Sequence, residues 1–80
     1  MKMPVFEQMI EEQIPGARAT VTGDGSKFEA VVVSDAFEGL TKVKKHQLVY
    51  RIFNEQLTSG AIHALTIKAY TPAEWEQEQA

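Results

Sequence analysis

Apolar and polar residues recur along the chain with two different periods, which divides it into helices and strands. A spacing of three and four residues between apolar side chains predicts amphipathic helices, and alternation predicts half-buried strands. A continuous apolar run at 30–33 suggests a central strand that is covered on both faces. The predicted elements, in order, are a helix at residues 4–14, strands at 17–22 and 28–34, a short helical turn at 36–38, a long helix from 42 to about 57, a strand at 62–70 and a last helical turn that starts at 71–74.

Short-range signals set the ends of these elements. Thr41 precedes the long helix as an N-cap, and Gly60 follows it as a C-terminal glycine. Thr71 and Glu74 have the spacing of a capping box around the last helical turn. Trp75 is expected to hold that turn against the body of the protein, with a solvated tail at about 76–80.

The order αββααβ predicts an α+β domain with a three-stranded mixed sheet. The first two strands form an antiparallel hairpin, and the helical crossover makes the second and third strands parallel with a right-handed connection. A chain of 80 residues supplies one modest core, so the helices are expected to cover one face of the sheet. We therefore predict a single domain over residues 1–80.

Composition narrows the chemistry that this domain can carry. The chain has no cysteine, which excludes a disulfide scaffold, a zinc ribbon and a cysteine nucleophile. Motifs for nucleophile elbows, zinc proteases and phosphate-binding loops are absent, and the adjacent Glu11 and Glu12 lie on a predicted solvated helix face. No signal peptide or membrane-length apolar run is evident. We expect a cytoplasmic protein, and the sequence shows no motif of these enzyme classes.

Two histidines are candidate functional residues. His46 lies near the middle of an apolar stripe on the long helix, which predicts a structural role in the core. His63 opens the third strand at the end of the core face, where its side chain can reach solvent, so both a structural role and a ligand role are open. A single histidine does not hold a metal without further ligands. The stripe that contains His46 comprises Val43, Val49, Tyr50, Phe53 and Leu57.

One basic cluster stands out in a chain whose net charge is −3. It lies at the start of the long helix and along it, and its members are Lys42, Lys44, Lys45 and Arg51. Lys44 and Arg51 share an outer face with Glu55, so the cluster is either an ordinary solvated surface or a phosphate-binding one. A chain with this net charge is expected to bind nucleic acid weakly at physiological salt.

Three segments, in this order, resemble the BolA-like family. They are VVSDAFEG at 32–39, VKKHQLVY at 43–50 and IHALTIKAYTPAEW at 62–75. The resemblance covers about residues 17–75, nearly the whole chain. The short acidic form, with GDGS in the first hairpin and the KAYTPAEW ending, favours a bacterial branch of the family.

The resemblance implies a fold similar to type II KH domains, no enzymatic activity, and partnership with a monothiol CGFS glutaredoxin. Such pairs act in iron–sulfur cluster assembly or trafficking, or in iron sensing, and are related to stress. They can share a [2Fe–2S] cluster that is ligated by a glutaredoxin cysteine, by glutathione and by a histidine that matches His63. The family often adds a cysteine or histidine from the first hairpin loop, where this chain has neither, which leaves Asp24 as a candidate ligand.

The implied contacts with the partner extend beyond the histidine. The expected docking residues are His63, Lys68, Tyr70, Thr71 and Trp75. Alone, the protein is expected to be a monomer or a weak homodimer.

The resemblance also leaves open a second function, which is DNA or RNA binding in transcriptional regulation. A KH domain holds nucleic acid with a GXXG loop between two helices, and the matching segment at 38–42 has one glycine. The basic cluster would then contact phosphates. With at most four such contacts, the log–log salt slope should be no steeper than about −3 and the affinity micromolar or weaker.

Overall fold

The computed structural model describes residues 4–25 and 27–79 of the chain. Its elements follow the predicted order, with one additional break in the long helix. They are α1 (Pro4–Gln13), β1 (Arg18–Asp24), β2 (Lys27–Val33), a short 3-10 helix (Asp35–Phe37), α2 (Lys42–Ile52), α3 (Asn54–Ser59), β3 (Ala64–Tyr70) and α4 (Pro72–Gln79).

The three strands form one mixed sheet in the order β1-β2-β3. β1 and β2 are antiparallel, with Val21 opposite Ala30, and β2 and β3 are parallel, with Ala30 opposite Ile67. The predicted α+β fold is therefore confirmed. Because β2 is central, β1 and β3 are the two outer strands of the sheet.

The core lies between this sheet and the helices α1 and α2. α1 contacts β1, and α2 contacts β3. Phe6 of α1 joins the two sides through edge-to-face contacts with Phe28 and Phe53, at ring-centroid distances of 5.6 and 5.5 Å. The fully or almost fully buried apolar residues are Ile10, Ile14, Val21, Ala30, Val32, Phe37, Val49, Phe53 and Ile62.

The helix predicted from residue 42 to about 57 is wrong in one respect, because it breaks at Phe53. There the backbone has φ −99° and ψ 11°, and the Phe53 N–H donates to the Tyr50 carbonyl at 3.1 Å, a tightened last turn. The Phe53 side chain is fully buried. Phe53 and Leu57 both face the core, so the helical spacing of apolar residues continues across the break. The sequence pattern therefore does not reveal it.

The predicted caps are present at the two ends of the predicted long helix, now α2 and α3, and at the start of α4. The Thr41 hydroxyl accepts from the Lys44 N–H at 3.2 Å, and Gly60 ends α3 with φ 84°. Around α4, Thr71 N–H donates to Glu74 Oε1 at 2.8 Å, and Glu74 N–H donates to the Thr71 hydroxyl at 3.2 Å. Both ends of the reciprocal capping box are thus formed.

Several element ends differ from the prediction. β1 spans Arg18–Asp24 instead of 17–22, and β2 spans Lys27–Val33 instead of 28–34. The last helical turn continues as α4 to Gln79, so residues 76–79 are helical and exposed, and Ala80 lies outside the described residues. β3 begins at Ala64 instead of 62, because the Ile62 N–H donates to the Gln56 carbonyl at 3.1 Å and ties that residue to α3. None of the helices in the described residues is both long and apolar enough to span a lipid bilayer.

Candidate functional site

His63 lies at the end of the sheet where β3 begins. Its side chain is exposed, as the sequence predicted, and it directly precedes Ala64, the first residue of β3. The Nε2 atom is 3.8 Å from the position that a Cβ atom on Gly60 would occupy. Gly60, whose backbone is in the left-handed region, therefore lies close to the imidazole.

Asp24 lies on the far side of the same sheet end. It pairs with Lys27 of β2, which in turn pairs with Ala64 of β3. Two strand spacings separate the backbones of Asp24 and Ala64, which is roughly 10 Å. The structure therefore does not place Asp24 next to His63. Ser26, in the hairpin loop between them, lies outside the described residues.

Metal binding by this chain alone finds no support in residues 4–25 and 27–79. No group of three or more histidine, aspartate or glutamate residues in these ranges is arranged to hold a metal ion. The sheet end offers an exposed imidazole and, two strands away, a carboxylate. Any metal held there needs further ligands from a partner.

The structural role predicted for His46 is wrong, because this side chain is exposed on α2. Its ring stacks on Tyr50 at a centroid distance of 6.0 Å and an interplanar angle of 21°. Tyr50 is 45% exposed and Val43 is 65% exposed, so much of the predicted stripe faces solvent. α2 has apolar residues on two faces, and the periodicity did not show that the face with Val49 is the buried one.

Lys45 is buried and is not available as a surface cation. Its ammonium group donates to both oxygens of Glu74, at 2.8 and 3.1 Å, and only 7% of the residue is exposed. The hydrogen bond from Lys45, followed by the backbone hydrogen bond from Thr71, lowers the pKa of Glu74. The basic cluster predicted for phosphate binding therefore loses one of its four members.

The other three cations of the cluster are exposed on different sides of α2. Lys42 lines a groove against β3 and α4. Lys44 and Arg51 line a separate depression beside Leu40. The segment 38–42 has Gly39 in the left-handed region, at φ 77°, and connects the 3-10 helix to α2.

Several of the docking residues predicted after His63 make contacts within the protein itself. Lys68 forms an ion pair with Glu29 at 2.9 Å, and the hydrogen bond to Glu29 raises the pKa of the Lys68 amine. Trp75 packs against Tyr70 with ring centroids 5.3 Å apart, which holds α4 to β3 as predicted. Thr71 is buried in the capping box, so its side chain is not a free contact.

Sequence reasoning missed one functional use of α1. The half-buried Glu7 accepts a hydrogen bond from the Val21 N–H at 2.9 Å, and Glu11 accepts one from the Ala19 N–H at 3.3 Å. The helical period alone predicts that both carboxylates lie on the solvated face of α1, opposite its apolar residues. Glu7 and Glu11 are four residues apart, so they lie side by side on one face of the helix. This spacing is the one signal in the sequence that would have predicted hydrogen bonds to two alternate residues of a neighbouring strand.

The architecture and these contacts define a small α+β domain of αββααβ order with a histidine at the start of its last strand. The family model described as BolA-like protein matches residues 7–74, and the chain belongs to this family. Among curated relatives, the acid stress protein IbaG of Escherichia coli is 48% identical over 59 residues, which cover 74% of this chain and 70% of that protein. This similarity agrees with the bacterial branch that the sequence favoured.

Two other relatives show the breadth of the family. BolA-like protein 1 of Bos taurus is 42% identical over 62 residues, which cover 78% of this chain and 45% of that protein. The structure of a bolA protein homologue from Coxiella burnetii matches with a TM-score of 0.78 at 40% identity, covering 95% of this chain and 97% of the other.

Proposed function

We propose that this protein is a non-enzymatic, cytoplasmic partner of a monothiol CGFS glutaredoxin in iron–sulfur cluster assembly or trafficking, or in iron sensing. The proposal rests on the BolA-like motifs at 32–39, 43–50 and 62–75, and on one observation above all. The histidine that the resemblance selects, His63, is exposed at the end of the sheet. By analogy with the acid stress protein that it resembles, we assign it a role under stress.

The residues at this sheet end fit a shared cluster better than a cluster held by one chain. Imidazole nitrogen is an established ligand of [2Fe–2S] clusters. His63 offers one such ligand, and no three metal-binding side chains come together in the described residues. The remaining ligands then come from glutaredoxin and glutathione, with Asp24 as the fourth only if the hairpin end moves toward β3.

The alternative function, as a KH-like nucleic-acid binder in transcriptional regulation, has less support. Lys45 is paired with Glu74, which leaves Lys42, Lys44 and Arg51 as exposed members of the cluster. Three phosphate contacts give a salt slope of at most about −2.7. We expect weak and salt-sensitive binding of DNA at most.

The test of the main proposal compares the two exposed histidines. The protein is mixed anaerobically with a CGFS glutaredoxin, glutathione, iron and sulfide, and the visible absorbance and circular dichroism are recorded. We expect His63→Ala to change the cluster spectrum and to accelerate cluster loss, and His46→Ala to leave both unchanged. Both variants should keep the free energy of unfolding within about 0.5 kcal/mol, because both side chains are on the surface.

The outcomes distinguish the role of His63 as a cluster ligand from the partnership with glutaredoxin. A wild-type spectrum in the His63→Ala complex removes His63 as a ligand, and failure of the wild-type protein to bind glutaredoxin contradicts the proposed function. Asp24→Asn tests the fourth ligand in the same assay, because a spectrum unchanged by this variant assigns that ligand elsewhere.

A further inference from the structure

We propose that the outer edge of β3 binds an extended acidic segment of another protein, which adds to the sheet as a fourth strand. This surface does not include His63, although it shares Lys68 and Tyr70 with the docking residues that the family resemblance implies for glutaredoxin. The proposal itself does not rest on that partnership. It follows from the direction of the β3 backbone groups, the groove beside them and the charges in that groove.

The backbone of β3 presents alternate residues to its outer side. The Tyr70 carbonyl accepts from the Ser34 N–H at 3.0 Å, so the peptide groups of Tyr70 face the β2 side. Because the N–H and C=O of one residue point the same way and neighbours alternate, Leu65, Ile67 and Ala69 face outward. Within the described residues, no hydrogen bond to another element occupies these outward groups. Such a row is a template for one more strand.

A groove of about 410 Å³ runs beside this edge. Its floor is the β3 segment 66–70, one wall is α2 with Lys42 and His46, and Glu78 of α4 lies at the other side. A single extended chain presents donors and acceptors at the two-residue spacing that the edge requires, and a helix does not. The shape and the hydrogen-bonding pattern thus favour an extended segment.

The charges in the groove favour acidic side chains on that segment. Lys42 is exposed and forms no ion pair within the described residues, and His46 lies on the same wall. Lys68 also lines the groove, but its ammonium group is paired with Glu29 and is attracted by Glu78, so Lys42 is the main attraction for an incoming carboxylate. Glu78 is the one carboxylate lining the groove, on the α4 side, so a carboxylate on the incoming strand is best placed toward Lys42.

The exposed stripe of α2 continues the surface beyond this wall. His46 lines the groove and also a neighbouring depression formed with Tyr50 and Asn54. The stacked His46 and Tyr50 rings, with the exposed Val43, offer apolar area to the residues that flank the added strand. Apolar residues next to the acidic ones would therefore strengthen binding.

The same observations disfavour two other occupants. Antiparallel pairing with a second β3, centred on Ile67, places the two Lys68 side chains on one face at diagonal positions, where like charges repel. Nucleic acid is disfavoured because it has no row of peptide N–H and C=O groups to pair with the β3 edge, and one unpaired lysine neutralises at most one of its phosphates.

The first test uses a fluorescein-labelled ten-residue peptide of alternating valine and glutamate, with binding followed by fluorescence anisotropy. We expect Lys42→Glu to weaken binding at least fivefold, because the groove loses its unpaired cation and gains a repulsive charge. Lys44→Glu is the matched control, an exposed lysine of the same helix outside the groove, and should change binding less than twofold. Equal effects of the two variants, or no binding by the wild-type protein, would overturn the proposal.

The second test identifies the binding mode. With the peptide bound, amide hydrogen exchange should slow at Leu65, Ile67 and Ala69, while Lys68, which already faces β2, should change little. Ala69→Pro removes one outward donor on an edge strand and should abolish binding. Because this variant must also fold, its circular dichroism is compared with wild type. If the wild-type protein binds the peptide but amide exchange does not slow at Leu65, Ile67 and Ala69, that result alone contradicts strand addition.

Two further measurements identify the ligand of the β3 edge if the peptide does not bind there. Tighter binding of a ten-nucleotide single-stranded DNA, lost in Lys42→Glu, would give the groove to nucleic acid and overturn the peptide. A concentration-dependent dimer in sedimentation, lost in Ala69→Pro, would give the edge to a second copy of the chain. The glutaredoxin–cluster spectrum of Lys42→Glu is expected to match wild type, so failure here and failure of the proposed function are distinguishable.

Discussion

The two outer edges of the sheet differ in how their backbone groups are satisfied. At β1, the outward N–H groups of Ala19 and Val21 donate to Glu11 and Glu7 of α1. At β3, the outward groups at Leu65, Ile67 and Ala69 have no such partner in the part of the chain that the structure describes. The same small domain therefore covers one edge with an acidic helix and leaves the other beside an open groove.

The difference indicates that the two edges serve different purposes. An exposed strand edge invites pairing with other chains, and natural proteins usually block it. Charged side chains that bind the edge N–H groups, as Glu7 does at β1, both satisfy the donors and repel an approaching strand. An edge left open beside Lys42 is instead suited to selective pairing. The predictions below test the covered edge first and then the contacts that border the open one.

The largest effect is expected from removing the carboxylate that covers β1. Glu7→Ala leaves the Val21 N–H without its acceptor in a partly buried position. The loss of a hydrogen bond to a charged group should lower the free energy of unfolding by about 1.5–3 kcal/mol. Urea unfolding followed by circular dichroism measures this change.

Glu12→Ala is the control on the same helix. Glu12 is exposed and accepts no hydrogen bond within the described residues, so its removal should change stability by no more than about 0.5 kcal/mol. A Glu7→Ala effect as small as that of Glu12→Ala would show that α1 does not protect the β1 edge. New concentration-dependent association of the Glu7→Ala protein would strengthen the comparison.

A smaller and pH-dependent effect is expected at α4, which borders the open edge. The hydrogen bond from Lys45 lowers the pKa of Glu74 from its ordinary value of 4.5. The ionised carboxylate therefore contributes stability above pH 4.5, and this contribution is lost as the pH falls through the lowered pKa. The stability difference between wild type and Glu74→Gln should be constant from pH 5 to about 7 and should shrink below pH 4.5.

Unfolding midpoints in urea, measured between pH 3 and about 7, check this prediction. Glu76→Gln is the matched control, since the Glu76 side chain is exposed on the same helix and has no partner in the described residues. A difference for Glu74→Gln that grows on acidification would contradict the assigned ion pair.

The smallest effect is expected at the ion pair on the open face of the sheet. The hydrogen bond to Glu29 raises the pKa of Lys68 above its ordinary value of 10.5, so the pair contributes below that pH and is lost at higher pH. Both side chains are about half exposed, so solvent and salt screen the attraction. Lys68→Gln should lower the melting temperature less than Glu74→Gln does. In about 0.5 M salt, the melting temperatures of Lys68→Gln and wild type should be nearly equal. A salt-independent loss would mean that Lys68 stabilises the sheet by packing.

Much of the candidate site was predictable because it depends on short segments. The position of His63 before the last strand and the capping box at Thr71 and Glu74 follow from residues within a few positions of one another. The partner of Lys45 was not predictable in this way, because Glu74 lies 29 residues further along the chain. Nothing in the local pattern separates this lysine from the exposed Lys44 beside it.

The sequence by itself determined the order of elements, their caps and the mixed sheet, because apolar period and capping are local properties of the chain. Tertiary structure alone decided which face of α2 is buried, where the long helix breaks at Phe53, and which outer strand is covered. Each of these depends on how distant elements meet. His46 became a surface residue because Val49 and Phe53 of the other face fill the core. The β1 edge rather than the β3 edge is capped because α1 brings the carboxylates of Glu7 and Glu11 to the outward N–H groups of β1.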